Sequence, residues 1–108
     1  MKIFAALISA CFMLIQPANA AEHQCASQSL DQAKKLLEFH SGPDDRISID
    51  EKVKVVSPIK NPVGRDKYDV LQVWGYIYKG KYRMHFIYGY AGGECILMGQ
   101  EILEYANL

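Results

Sequence analysis

The chain has 108 residues, of which 50% are hydrophobic, and its 12 lysines and arginines balance its 12 aspartates and glutamates. A chain of this length is expected to form one small domain. A near-neutral charge without clustered Lys and Arg offers little attraction to nucleic-acid phosphates or anionic lipid, so nucleic acid is not expected as a partner.

The first twenty residues have the pattern of a signal peptide that is cleaved after export. Lys2 gives a positive start, residues 3–15 are almost entirely apolar, Pro17 ends the run, and Ala18-Asn19-Ala20 offers the small-x-small pattern of a cleavage site. The apolar run is shorter than the roughly 20 residues that span a bilayer. We therefore expect no membrane insertion after cleavage and a single small mature domain over residues 21–108.

A lipidated Cys11 is the alternative to this cleavage, because Ile8-Ser9-Ala10-Cys11 resembles a lipobox. It would shorten the apolar segment below the usual length of about 7–15 residues and leave apolar residues 12–15 at the mature N terminus. Cleavage after Ala20 is therefore favoured. The short leader fits a bacterial chain destined for the periplasm or for secretion.

Cys25 and Cys95 are the two cysteines that remain after the leader is removed. An even pair of cysteines in a small exported domain predicts a disulfide. The bond would close a loop of about 70 residues, which the chain-entropy model values at roughly 4 kcal/mol. A reactive thiol is the weaker interpretation, because neither cysteine lies in a Cys-x-x-Cys motif.

One amphipathic helix is predicted over residues 30–40. Ser29 and Gln32 have the spacing of a capping box, apolar residues follow at helical intervals, and Gly42-Pro43 is a strong stop signal.

The hydrophobic period changes to two after Arg46, which predicts a first strand over residues 47–55. Glu51 interrupts the alternation and predicts a bulge or a bend. Pro58 and Pro62 cannot donate to a sheet ladder, so residues 57–67 are predicted to form a loop.

Three further strands are predicted over residues 68–78, 82–90 and 94–103, with turns at Lys79-Gly80-Lys81 and Gly92-Gly93. Short connections make successive strands antiparallel neighbours. The expected fold is α+β, with one N-terminal helix packed on a four-stranded antiparallel meander and fixed by the disulfide. This layout resembles that of cystatin-like rolls.

The second and third strands form a hairpin unusually rich in tyrosine and tryptophan. A two-residue turn at Lys79-Gly80 or Gly80-Lys81 would give one apolar face and one face that displays aromatic and cationic residues. The displayed face would carry Trp74, Tyr76 and Tyr78 beside Lys81, Arg83 and His85. A three-residue turn is the alternative, and it would gather almost all the aromatic residues on one face and mix Arg83 and His85 with aliphatic residues.

No motif in the chain indicates catalysis, a cofactor or a metal. His23, His40 and His85 lack the spacing of metal ligands, and the acidic cluster after the helix is explained by turn chemistry. Nucleophile and phosphate-binding motifs are also missing from the mature sequence. We therefore expect a protein that is not an enzyme.

In size, leader and disulfide the chain resembles small exported bacterial proteins that inhibit or neutralise other proteins, such as periplasmic lysozyme inhibitors and immunity proteins of secreted toxins. This resemblance carries no functional residues over. The predicted function is binding of another protein through Trp74, Tyr76, Tyr78, Arg83 and His85, because aromatic residues and arginine dominate binding hot spots.

Three alternatives remain open at this point. The aromatic residues could serve only to stabilise the sheet. The chain could instead carry a small molecule between helix and sheet. It could also be a structural envelope protein that self-associates, for example as a homodimer.

Overall fold

The computed structural model describes residues 23–64 and 66–105, so the predicted signal peptide over residues 1–20 lies outside the described residues. One helix precedes five strands: α1 (Ala26–Ser41), β1 (Ile47–Ile49), β2 (Lys54–Lys60), β3 (Lys67–Ile77), β4 (Gly80–Ala91) and β5 (Glu94–Tyr105). The described ranges contain no helix with the length and apolarity needed to cross a membrane.

The five strands form one antiparallel sheet in the order β1-β3-β4-β5, and β2 pairs with β3 on the same side as β1. The α+β arrangement is confirmed, but the sheet has five strands rather than the predicted four. β1 ends at Ile49, and the next residue, Asp50, makes the last backbone contact of this segment with β3, in which its N–H donates to the Trp74 carbonyl. The Asp50 carboxylate then accepts from the Lys52 N–H, which turns the chain away from the ladder. This side-chain turn divides the predicted first strand near the interruption at Glu51.

β2, the second part of the divided strand, extends further than the sequence pattern predicts. β2 continues through Pro58 to Lys60, where a loop was expected, and its register with β3 shifts between Val56 and Ile59. Pro58 is tolerated there because β2 is an edge strand with an irregularity, where a missing N–H does not interrupt a central ladder.

The helix begins at Ala26, four residues before the predicted start, and the expected capping box is wrong. Cys25 occupies the N-cap, and Ser29 lies inside the helix, where its buried hydroxyl donates to the Ala26 carbonyl at 2.6 Å. The residue directly before this first turn is Cys25, whose Cα lies 5.8 Å from that of Cys95. The predicted disulfide is confirmed, and it fixes the first helical turn against the sheet.

Cys95 faces the helix because β5 contains an irregularity at Met98. Ile87 pairs with Gly99 whereas Tyr88 pairs with Leu97, so Met98 is an extra residue in the ladder. A shift of one residue exchanges the two faces of a strand. Without it, Cys95 would lie on the same face as Leu103, away from Cys25.

The core lies between α1 and one face of the sheet. Its fully buried members include Leu37 from the helix and four residues of the hairpin: Leu71, Val73, Met84 and Phe86. The layers approach closely at Gly75, where a Cβ would lie 2.9 Å from both Leu37 Cδ2 and Met84 Cε. The opposite face of the sheet, named here the open face, is not covered by α1 or by any other described element.

Candidate functional site

The register of the β3–β4 hairpin decides which residues reach the open face. Ile77 pairs with Gly80, which leaves a two-residue turn of Tyr78 and Lys79, one residue before the earlier of the two predicted positions. The Tyr82 ring packs against Gly80, where a Cβ would lie 3.1 Å from it. The observed turn has two residues, as the predicted turn has, so the same residues share each face. The predicted division of the hairpin into an apolar and an aromatic-cationic face is therefore confirmed.

Four of the five predicted binding residues come together on the open face. Trp74 pairs directly with Arg83, and Tyr76 and His85 occupy adjacent rungs. All four side chains are half-buried, because each is covered in part by its neighbours on the face.

Tyr78 does not join this group. It lies in the turn with a positive φ of 53°, and its side chain is 70% exposed. Its ring faces two cations, with Arg46 Cζ at 5.6 Å and Lys79 Nζ at 5.5 Å from the ring centre. Tyr78 therefore stands at the tip of the hairpin, beside the open face rather than on it.

Trp74 lies at the centre of a packed aromatic-cationic cluster. Lys81 Nζ lies 4.3 Å from the centre of the Trp74 ring, and the Tyr105 ring centre lies 5.3 Å away in a tilted arrangement. Arg83 Nη1 donates to Tyr105 Oη at 3.4 Å. The cations and the aromatic rings therefore hold one another in place without a partner molecule.

His85 is held between two polar residues on the same face. Its Nε2 lies 2.9 Å from Gln72 Oε1, and its Nδ1 lies 2.9 Å from Glu101 Oε1. These contacts connect β3, β4 and β5 in one row across the sheet. We name the combined set the aromatic band, and its members are Gln72, Trp74, Tyr76, Lys81, Arg83, His85, Glu101 and Tyr105.

Four members of the band were not among the binding residues selected from the sequence: Gln72, Lys81, Glu101 and Tyr105. Gln72 and Glu101 join it because they pair with His85 from either side, and Tyr105 joins it because β5 continues two residues beyond the predicted end at Leu103. The alternation of Glu101, Leu103 and Tyr105 was the available signal for this extension.

A cleft of about 500 Å³ lies at the end of the sheet opposite to the hairpin tip. Gly89 forms part of its lining, and a Cβ there would lie 3.3 Å from both Tyr68 Cε1 and Met98 Cγ. The lining also includes Ile96 of β5 and Lys67 of β3. This cleft, which the sequence pattern did not indicate, gives the open face a concave region beside the β5 edge.

A second polar cluster lies on the helix side, next to the disulfide. Tyr90 Oη donates to Asp69 Oδ2 at 2.5 Å, and His23 Nε2 lies 3.1 Å from the same oxygen. The hydrogen bond from Tyr90 and the proximity of His23 lower the pKa of Asp69. Burial, followed by the bond to Asp69, raises the pKa of Tyr90 to about 12. The cluster connects the segment before α1 to β3 and β4.

The described histidines all face carboxylates, including His40 at 3.8 Å from Glu104. Within residues 23–64 and 66–105, no three side chains of His, Cys, Asp or Glu are grouped as metal ligands. Each of these histidine contacts connects two different segments of the fold.

Comparisons with models of protein families, with curated proteins and with solved structures found no match.

Proposed function

We propose that this chain is an exported, non-catalytic bacterial domain that binds another protein through the aromatic band. One observation carries the proposal: α1 covers one face of the sheet, whereas no described element covers the other, on which Trp74, Tyr76 and Tyr105 lie among Lys81 and Arg83. Large aromatic residues and arginine provide most of the binding energy at protein interfaces.

The organisation of the band supports this proposal. Contacts between Lys81, Trp74, Tyr105 and Arg83 order the side chains before any partner arrives. Binding of a partner then costs less side-chain entropy in the band, because these side chains are already restricted. An inhibitor or an immunity protein has this requirement, since it must bind its target as a preformed surface. The predicted signal peptide supports a location in the periplasm or outside the cell.

Two alternatives have weaker support. A carrier would need space between helix and sheet, yet Leu37, Met84 and Phe86 are fully buried there and Gly75 brings the layers together. A self-associating envelope protein would bury the same band against a second copy. The similarity of layout to cystatin-like rolls stays a prediction.

The experiment compares oxidised mature protein, Trp74→Ala and Phe39→Ala as baits for proteins from the envelope and culture fluid of the host. Phe39 is a matched control, because it is an aromatic residue on α1 with a 90% exposed side chain, away from the band. We expect one protein to bind the unmodified and Phe39→Ala baits and to be lost from Trp74→Ala while near-UV circular dichroism stays native-like. Unfolding of Trp74→Ala, or retention of the same protein by all three baits, would contradict the proposal.

A further inference from the structure

β5 forms an edge of the sheet. Within residues 23–64 and 66–105 it pairs only with β4, through eleven of its twelve residues, and no strand lies on its outer side, where the Gln28 Nε2 donates to the Cys95 carbonyl at 3.4 Å. The two-residue turns on either side of β4 are closed by the pairs Ile77–Gly80 and Ala91–Glu94. Such closing pairs are hydrogen-bonded, and hydrogen-bonded pairs alternate along an antiparallel ladder. The backbone N–H and C=O groups of Gln100, among others, therefore point away from β4.

β5 also carries an exposed apolar row on its open-face side. The row is between 39 and 53% exposed and consists of Ile96, Met98, Leu103 and Tyr105. The alternate residues Leu97 and Ile102 pack against the core instead. A strand added at this edge would place every second side chain against the row, near the 500 Å³ cleft at one end and the aromatic band at the other.

The other edge of the sheet is protected against such pairing. It is divided between β1 and β2, its register shifts between Val56 and Ile59, and Pro58 has no N–H to donate. Natural sheets commonly use short strands, irregularities and proline to block edges. β5 has one irregularity, at Met98, but it is long, continuous and without proline, so the two edges differ in their ability to accept a strand.

The charges on β5 indicate what kind of strand fits. The strand contains Glu94, Glu101 and Glu104 and no lysine or arginine. Pairing of β5 with β5 of a second copy would bring six carboxylates to one seam without a cation from either strand, and like charges on paired strands are unfavourable. Glu104 lies on the helix side of β5, whereas Glu94 and Glu101 share the open face with the apolar row. An extended segment that alternates basic and apolar residues is complementary to this edge when its basic residues lie towards Glu104 and its apolar residues lie against the row.

We propose that β5 accepts such a basic, extended segment of a partner protein as an additional strand of the sheet. Backbone hydrogen bonds would provide affinity, and the apolar row would select the side chains, as in other cases of strand addition. This inference rests on the proposed function, because the same partner would also contact the aromatic band.

The test uses a fluorescent eleven-residue peptide of alternating lysine and valine, titrated by anisotropy into the oxidised mature protein. Gln100→Pro removes an outward N–H without breaking a bond to β4, and Gln100→Ala is its control. The control also removes the 2.9 Å contact in which Gln32 Nε2 donates to Gln100 Oε1. We expect Gln100→Pro to weaken binding by about ten-fold and Gln100→Ala to leave it unchanged, since one backbone hydrogen bond is lost only in the former. A peptide N-methylated at alternate residues on its pairing edge should bind more weakly still, because several backbone donors are removed.

Leu103→Lys keeps the backbone intact, so it tests the apolar row even if Gln100→Pro does not fold. Equal affinity of the unmodified protein and Leu103→Lys, or the absence of saturable binding, would overturn the proposal. Light scattering adds a third criterion: a dimer of the unmodified protein that Gln100→Pro converts to a monomer would assign the edge to a second copy and overturn the proposed partner.

The bait experiment separates this proposal from the proposed function. A protein lost from Trp74→Ala but retained by folded Gln100→Pro would leave the proposed function standing and overturn strand addition. Loss from both baits supports both proposals. If no protein binds the unmodified bait, the proposed function fails, and the peptide titration still decides whether the β5 edge accepts a strand.

Discussion

The ammonium nitrogen of Lys81 lies 4.3 Å from the centre of the Trp74 ring, in the middle of the open face. A cation at this distance from an indole contributes about 0.5–1 kcal/mol at exposed sites. Because Trp74 is the only tryptophan in the chain, its fluorescence reports on the surroundings of this one ring.

We therefore expect Lys81→Met to lower the free energy of unfolding by about 0.5–1 kcal/mol and to change the emission of Trp74. Urea titration followed by tryptophan fluorescence measures both effects. Lys79→Met is the control, because Lys79 lies 5.5 Å from the ring of the exposed Tyr78 and far from the band. Equal effects of the two substitutions would show that the contact contributes nothing specific.

Much of this surface could be predicted from the sequence, because strand alternation and charge restrict the hairpin strongly. A two-residue turn keeps Arg83 and His85 away from the apolar residues of β3, whichever residues form the turn. The exact turn position differed from the local turn signals, which favour Gly80 within the turn rather than as the first residue of β4.

The features that the sequence pattern missed depend on contacts distant in the chain. Ser29 has the residue type and spacing of an N-cap, but the helix begins three residues before it, directly after the cysteine that is linked to Cys95. The irregularity at Met98 had a readable signal, because Leu97 and Ile102 can both face the core only if the alternation shifts between them. The cluster of His23, Asp69 and Tyr90 joins three separate segments and had none.

Gly75→Ala tests how closely the helix and sheet approach. The new Cβ would lie 2.9 Å from Leu37 Cδ2 and from Met84 Cε and 3.3 Å from Ile49 Cδ1, all in or beside the core. We expect a loss of about 1–3 kcal/mol in the free energy of unfolding, as for other overpacked cores. Gly99→Ala is the matched control, since its Cβ would meet only Ile87 Cδ1 at 3.4 Å. Thermal and urea unfolding of both variants should show the loss for Gly75→Ala alone, and equal stabilities would contradict the packing described here.

The lowered pKa of Asp69 predicts a pH-dependent contribution to stability. The carboxylate accepts from Tyr90 and lies beside His23, so its folded pKa is below the ordinary value of 3.8. A group of this kind stabilises the fold above its unfolded pKa, and the contribution is lost as the pH falls through the folded pKa. We expect Asp69→Asn to be less stable than the unmodified protein at pH 7, and this difference to shrink as the pH falls below about 3.8.

Urea titrations at neutral and acidic pH measure this effect. Asp66→Asn serves as the control, because Asp66 is an exposed aspartate near the same end of the sheet. A difference between Asp69→Asn and the unmodified protein that stays constant with pH would show that the loss comes from packing rather than from the ionised carboxylate.

Removal of the hydroxyl group is expected to change the free energy of unfolding differently at Tyr88 and at Tyr90. Tyr88 is fully buried, and its hydroxyl has no hydrogen-bond partner among the described residues. A buried polar group without a partner costs about 1–3 kcal/mol, so Tyr88→Phe should raise the free energy of unfolding or leave it unchanged. Tyr90→Phe removes the 2.5 Å bond to Asp69 and should lower it.

The alkaline limb of the stability curve provides an independent readout for Tyr88. Burial raises the pKa of Tyr88 to about 12 from an ordinary value of 10.0. The folded state therefore holds a proton that the unfolded state releases between pH 10 and about 12, and stability falls as the pH rises through this window. Tyr88→Phe should make that fall less steep in urea titrations between pH 9 and about 11. A variant that is destabilised at pH 7 and keeps the full alkaline slope would indicate that the Tyr88 hydroxyl is paired in solution and that its burial does not control its ionisation.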